Sequence, residues 1–177
     1  MARPSAVVFA YSGVGVRCLS AVLASGIEVA LVVTHEDEPG ENIWFDSVAS
    51  LAGLHGIPVI TPANPNDPEV IEQVNRCKPD WLFSFYYRRI LHNALLSAAS
   101  RGAYNMHGSL LPKFRGRSPI NWAILKGETE TGASLHRMVE KPDAGALVDQ
   151  QSVPILPNDT AGRVYDRVAC AAEIVLM

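Results

Sequence analysis

Cysteine is scarce. Cys18, Cys77 and Cys170 lie far apart in the 177 residues and form no Cys-x-x-Cys pair. That argues against a disulfide framework and a cysteine-based zinc site, and it suits a reducing compartment. No apolar run approaches the ~20 residues that a bilayer crossing needs, so no membrane insertion is expected. An excess of basic residues is also missing. A net charge of −3 supplies no chain-wide field for a polyanion, and nucleic acid is not an expected partner. The segment Met1-Ala2-Arg3-Pro4-Ser5 runs straight into a strand, without the charged start and apolar core of a secretion signal. A cytoplasmic protein follows as the expectation. Internal repeats and low-complexity linkers are absent as well. With 48% hydrophobic residues, the chain can bury the core of one α/β domain over residues 1–177.

What is present is a rhythm. Ala6-Val7-Val8-Phe9-Ala10 is a short continuous apolar run of the kind that makes a buried parallel strand. A turn at Tyr11-Ser12-Gly13-Val14-Gly15 leads to helical spacing at Val16, Leu19, Val22 and Leu23, stopped by Gly26. Strand patterns recur at 28–34, 58–60 and 80–85, separated by helical patterns at about 45–55 and from Pro68 to about Lys78. Such alternation predicts a doubly wound, mostly parallel sheet. From Thr131 the pattern changes to two strands, 131–138 and 146–155, joined by a short Pro/Asp/Gly connection and read as antiparallel edge neighbours. Asn158-Asp159-Thr160 caps a last helix with Val164, Val168, Ala172, Val175 and Leu176 on one face. The abrupt apolar end suggests that a further subdomain follows.

The chemistry concentrates between Tyr104 and Lys126. Alternation places Asn105 and His107 on one face of a strand that breaks at Gly108. A loop carrying Lys113, Arg115 and Arg117 follows, then a helix with Ser118 as N-cap and Pro119 at its first position. A third polar member, Asp143, sits in the Lys141-Pro142-Asp143-Ala144-Gly145 loop, from which it can reach the imidazole. A rival motif lies at the first turn. Gly13-Val14-Gly15 followed by Val16-Arg17-Cys18 approaches the dinucleotide fingerprint, with acidic Glu36, Asp37 and Glu38 after the second strand. Cys18 replaces the third glycine, which weakens the nicotinamide reading.

The run Asn105-x-His107, Ser109-Leu110-Leu111-Pro112, Arg115-Gly116 and Asp143-Ala144-Gly145 resembles the folate-dependent formyltransferase family. Phe83 to Arg88, Gly127 to Gly132 and Leu135 to Met138 extend the likeness over essentially the whole chain. It is nearest to the branch that formylates UDP-4-amino-4-deoxy-L-arabinose, the formyltransferase part of bifunctional polymyxin-resistance proteins acting in lipid A modification. The resemblance implies a Rossmann-like formyltransferase fold, 10-formyltetrahydrofolate as co-substrate, a sugar nucleotide as acceptor and no metal. It implies Asn105, His107 and Asp143 as catalytic residues. It places the folate against Arg89, Ile90 and Leu91, against Arg117, and along Val139, Glu140, Lys141, Pro142 and Asp143. A C-terminal β subdomain follows in that family, and a homo-oligomer stays open. Methionyl-tRNA or another amine is the competing acceptor; the short first turn and the negative charge disfavour tRNA, and the ribonucleotide-formylating branch lacks the Arg115-Gly116-Arg117-Ser118-Pro119 run in this form. A folate- or nucleotide-binding fragment without turnover is the non-enzymatic alternative. For Tyr86, Tyr87 and Trp122, packing and substrate contact stand equal. His35, His55, His92 and His136 match no motif and are expected to be structural or surface residues.

In this chemistry Asn105 donates to a tetrahedral oxyanion, His107 stabilises it or moves a proton, and Asp143 is expected to raise the imidazole pKa. Asn105→Ala and His107→Ala should each lower turnover by about 10²–10³-fold, as the loss of one oxyanion donor does. Near wild-type steady-state rates in either folded variant would reject the assignment.

Overall fold

Short runs rich in Val, Phe and Leu form β1 (Ser5–Ala10), β2 (Glu28–Val33), β3 (Val59–Ile60), β4 (Trp81–Phe85) and β5 (Gly102–His107). These strands pair in parallel. β6 (Glu130–Arg137) and β7 (Leu147–Pro154) add antiparallel pairs at one edge. The computed structural model describes residues 3–177; Met1 and Ala2, included in the expected 1–177 domain, lie outside the described residues. The strand order β3-β2-β1-β4-β5-β6-β7 reverses direction of growth between β1 and β4. In such sheets ligands bind outside the carboxyl ends of the strands at that reversal.

Among the described residues six helices cover the sheet: α1 (Ser12–Ala24), α2 (Val48–Leu54), α3 (Pro68–Cys77), α4 (Asn93–Leu96), α5 (Pro119–Leu125) and α6 (Ala161–Val175). Among the described residues no helix is long and apolar enough to cross a membrane. On one face, Val8, Phe85 and Met106 of the sheet pack with Leu19, Val48, Ile120, Val164 and Val168. On the other, Val7, Phe9, Leu82 and Ala103 pack with Val74 and Leu95. Phe9 and Phe85 are fully buried, and each such side chain stabilises the fold by about 1.5–3 kcal/mol. Because Ala103 faces the α3/α4 side, strand alternation sends Asn105 and His107 toward that side as well.

Four local expectations change. Tyr11 to Gly15 is not a separate turn: α1 begins at Ser12, itself left-handed at φ 64°, and takes both glycines into its first turn. Gly15 serves close packing there, since a Cβ would lie 3.1 Å from Val48 Cγ2 and 3.2 Å from Ala10 Cβ. The helix expected from Phe45 starts only at Val48, where Ser47 accepts the Ser50 N–H. Ser118 does precede α5, but it is left-handed (φ 54°) and makes no side-chain cap, so Pro119 alone sets the helix start. The short helix α4 lies where no helical pattern was read. Its four residues offer too little periodicity to detect.

The connection from β6 to β7 carries Asp143 and is held tightly. A Cβ on Gly145 would collide with the Arg137 carbonyl oxygen, so glycine there permits the loop to lie on the end of β6. Gly145→Ala should therefore cost about 1–3 kcal/mol of stability and displace the Asp143 loop. Urea denaturation measures this; an unchanged midpoint would show that the loop has room to spare.

Candidate active site

A cavity of about 960 Å³ opens beyond the carboxyl ends of β4 and β5. Residues 86–91 form one wall, 105–108 the floor, and 116–121 the opposite wall. Residues 138–140 with Pro142 and Asp143 close a third side, and Trp44 and Tyr165 stand at the rim. Parallel pairing of β4 with β5 puts Ser84 beside Asn105, and antiparallel pairing with β6 puts His136 beside Asn105. Two strand ends and two loops thereby converge.

His107 is nearly buried (7% exposed). Its Nε2 lies 2.8 Å from the Phe114 carbonyl oxygen. A carbonyl can only accept, so the ring carries a hydrogen on Nε2. Its Nδ1 is 3.6 Å from Asp143 Oδ1. The other carboxylate oxygen accepts the Gly116 N–H at 2.9 Å, so Asp143 ties the arginine-bearing loop to the β6–β7 connection. The same loop is fastened to the strands through Leu111, whose N–H donates to Ser134 Oγ (3.1 Å) and whose carbonyl accepts from Gln150 Nε2 (2.9 Å). Asn105 Nδ2 lies 3.2 Å from His136 Nε2. His136 is 2% exposed, and its Nε2 is also 3.4 Å from Asp143 Oδ1. Asn105, His107 and Asp143 thus meet in one place, together with a second imidazole that was expected to be structural or surface.

The electrostatics depart from expectation at one point. Burial lowers the His107 pKa more than the Asp143 charge raises it, so the imidazole stays below its ordinary value instead of above it. For Asp143, burial by itself pushes the carboxyl up. The hydrogen bond with His136, the His107 charge and the Gly116 N–H outweigh this and hold the carboxyl below the usual range. Both shifts favour the neutral form of His107 and the charged form of Asp143.

The expected folate residues divide. Arg89, Ile90, Leu91, Arg117, Val139, Glu140, Pro142 and Asp143 line the cavity; Lys141 is exposed and does not. Its side chain leaves the loop on the solvent side. Ile90 and Val139 are large apolar residues left exposed (64% and 44%) at the cavity. Arg117 and Arg89 make no ion pair among the described residues, whereas Lys113 is paired with Glu128 at 2.9 Å. Arg88 is held by the Glu41 carboxylate, with its guanidinium 4.4 Å from the Tyr11 ring centroid. Tyr86 and Tyr87 line the cavity with hydroxyls that are buried and without a hydrogen-bond partner. Trp122 is not a lining residue. Trp44 and Tyr165 went unread because their partners lie more than a hundred residues apart; Tyr165 Oη accepts the Val14 N–H and donates to Ser12 Oγ.

A doubly wound sheet with three polar side chains and a partly apolar cavity at its carboxyl edge has the layout of an α/β enzyme site. Residues 7–177 match the formyl transferase family, and the chain belongs to it. Glycinamide ribonucleotide transformylase 1 from Geobacillus kaustophilus is 28% identical with a TM-score of 0.80, covering 99% of this chain and 97% of that one. Phosphoribosylglycinamide formyltransferase from Bacillus halodurans is 26% identical, TM-score 0.80, covering 97% and 93%. A formyltetrahydrofolate deformylase from Pseudomonas syringae pv. tomato shares the fold at 24% identity, TM-score 0.83; this chain covers 59% of its length and is itself covered to 99%. The protein is a formyltransferase, with 10-formyltetrahydrofolate as donor. The cavity fits that donor: exposed Ile90 and Val139 with Leu91 and Met138 offer apolar surface to a flat ring.

Asp143→Asn removes the charge that partly offsets the desolvation of His107, so the ring should titrate lower still in an NMR titration. A rise would contradict the electrostatics above. The folded chain binds the His107 proton less readily than the unfolded chain. Stability contributed through this group is therefore lost as pH falls through the ordinary histidine value of about 6.5.

Proposed function

We propose that this formyltransferase transfers its one-carbon unit to the amine of a sugar nucleotide, with UDP-4-amino-4-deoxy-L-arabinose the first acceptor to test. In the net reaction the carbon–nitrogen bond of the donor breaks and a new one forms to the acceptor amine. The amine gives up one proton and the folate nitrogen gains one. His107, neutral at rest, takes the amine's proton on Nδ1, since Nε2 is committed to the Phe114 carbonyl. Asp143 beside that nitrogen stabilises the imidazolium, which then returns the proton to the folate nitrogen. Asn105 donates an amide N–H to the oxygen that becomes negative as the amine adds. Arg117 and Arg89 face the anionic parts of the ligands.

The observation that carries the acceptor reading is at the rim. A helix N-terminus after the first strand is the ordinary seat for a terminal phosphate in such sheets. Here Tyr165 Oη takes the Val14 N–H of α1 at 3.1 Å and donates to Ser12 Oγ at 2.9 Å. The ring also lies against Gly13, and Phe45 flanks it. A terminal phosphate monoester finds that seat taken. Beside it, Trp44 lies edge-on to Tyr165 with ring centroids 5.0 Å apart and is 57% exposed. An indole so presented suits a planar base. An acceptor with internal phosphates and a base fits this rim better than a ribonucleotide ending in phosphate. Glycinamide ribonucleotide, the acceptor named for the enzymes from Geobacillus kaustophilus and Bacillus halodurans, is the second reading.

Amine-formylation assays with UDP-4-amino-4-deoxy-L-arabinose, glycinamide ribonucleotide and methionyl-tRNA decide between them. The sugar nucleotide should be formylated with the highest kcat/KM, and Trp44→Ala should raise its KM about tenfold with kcat little changed. Preferential formylation of glycinamide ribonucleotide would overturn the acceptor assignment.

A further inference from the structure

Residues 34–47 connect β2 to α2 without helix or strand and carry Trp44, the exposed indole at the cavity rim. The first part of this segment is fastened repeatedly. Tyr11 Oη donates to Asp37 Oδ1 at 2.8 Å, and Thr61 Oγ1 donates to Glu36 Oε1 at 3.1 Å. His35 Nε2 accepts the Arg88 backbone N–H at 3.0 Å, and its ring stacks on Tyr87 with centroids 4.1 Å apart. The Arg88 guanidinium then takes the Glu41 carboxylate in a fork, Nη1 to Oε2 at 3.0 Å and Nη2 to Oε1. Beyond Glu41 the support changes. Among the described residues no backbone–backbone hydrogen bond holds 42–46. Trp44 rests instead on aromatic edges, against Phe45 at 5.6 Å and Tyr165 at 5.0 Å between ring centroids. Phe45 in turn meets the Tyr11 ring at 5.3 Å, and the Arg88 guanidinium lies 4.4 Å from the centroid of that same ring.

Arg88 thus grips the Trp44 segment from both ends, by its carboxylate partner before residue 42 and by the Tyr11–Phe45 pair after Trp44. We infer that the Arg88–Glu41 fork is a clasp that positions Trp44, and that both are positioning residues for the acceptor, acting through that indole. Glu41 does not line the cavity, so its effect on the acceptor travels through the segment. Ion pairs at a surface usually contribute little, because holding two long side chains in one geometry offsets the attraction. The Glu72–Arg76 pair of α3 is of that kind, with side chains 62% and 71% exposed. The Glu41 side chain is only 24% exposed, its contact is bidentate, and the guanidinium has an aromatic face beneath it. Those are the conditions under which a planar pair holds one geometry. Arg88 itself belongs to the cavity wall of residues 86–91, so the clasp fastens the rim to that wall. The kinetic consequence rests on the reading of Trp44 as the seat of the acceptor's base; the clasp itself does not.

Two measurements test it. Fluorine NMR of the protein labelled with 5-fluorotryptophan reads the clasp directly, with the Trp44 signal assigned by its loss in Trp44→Phe. Glu41→Ala should shift that signal in the ligand-free protein; an unmoved signal would overturn the inference whichever acceptor the enzyme uses. In formylation assays with UDP-4-amino-4-deoxy-L-arabinose, Glu41→Ala should raise the acceptor KM about fivefold, the upper range for one partly exposed ion pair. Its kcat should change less than about twofold, as for a loss of binding alone. In a Trp44→Ala background the same change should cost less than about twofold, because groups acting through one another are not additive. Full additivity of the two changes would give Glu41 a separate route to the substrate and reject the inference. A moved signal with an unchanged acceptor KM would uphold the clasp and remove Trp44 from acceptor recognition.

Discussion

The antiparallel pairing of β5 with β6 is the constraint on which the site depends. Five parallel strands deliver only their carboxyl ends to the cleft, and a sixth parallel strand would have done the same. The reversal at β6 runs the strand past β5 in the opposite sense and sets His136 opposite Asn105. Its end at Arg137 then feeds the loop that returns Asp143 over His107. Backbone hydrogen bonds, from Met138 N–H to Ala103 carbonyl oxygen and Arg137 N–H to Ala146 carbonyl oxygen, close this end of the ladder. Gly145, where any Cβ would strike the Arg137 carbonyl, lets the loop lie flat on it.

Within that frame, desolvation decides the charges. An acid beside a histidine ordinarily raises the imidazole pKa, yet here the ring is nearly buried and the balance goes the other way. The acid stays ionised because it collects the hydrogen bond with His136 and a backbone N–H from Gly116. A neutral imidazole next to a fixed carboxylate is well suited to accept a proton and hold it for one step. Two backbone carbonyls, of Phe114 and Arg137, fix a hydrogen on His107 Nε2 and on His136 Nδ1.

The cavity is asymmetric in a way that matters for recognition. One part of its wall presents exposed apolar residues, Ile90 and Val139. Its rim near α1 is a continuous aromatic cluster in which Tyr11, Phe45, Trp44 and Tyr165 meet edge to face. Acidic Asp37 holds the Tyr11 hydroxyl at 2.8 Å, and with burial first and that bond second the phenol is pushed up to about 12. The strand-to-helix turn that spacing alone compares to a dinucleotide site is closed by these side chains. Gly15 there serves close packing.

Much of this was legible in the chain itself. Continuous apolar runs specify buried parallel strands, and period-two alternation puts Asn105 and His107 on one face whatever the strand's neighbours. The loop chemistry around Asp143 marks it as a partner within reach. His136 was not legible, because its place beside Asn105 depends on a register between residues 31 apart in sequence, and that register is set by pairing. Tyr165 needed α6 to dock on α1 before its hydroxyl could meet Ser12. The sign of the His107 shift belonged to the tertiary structure for the same reason: attraction to a neighbouring acid can be inferred from residue types, but loss of water can be known only once the chain has closed around the ring.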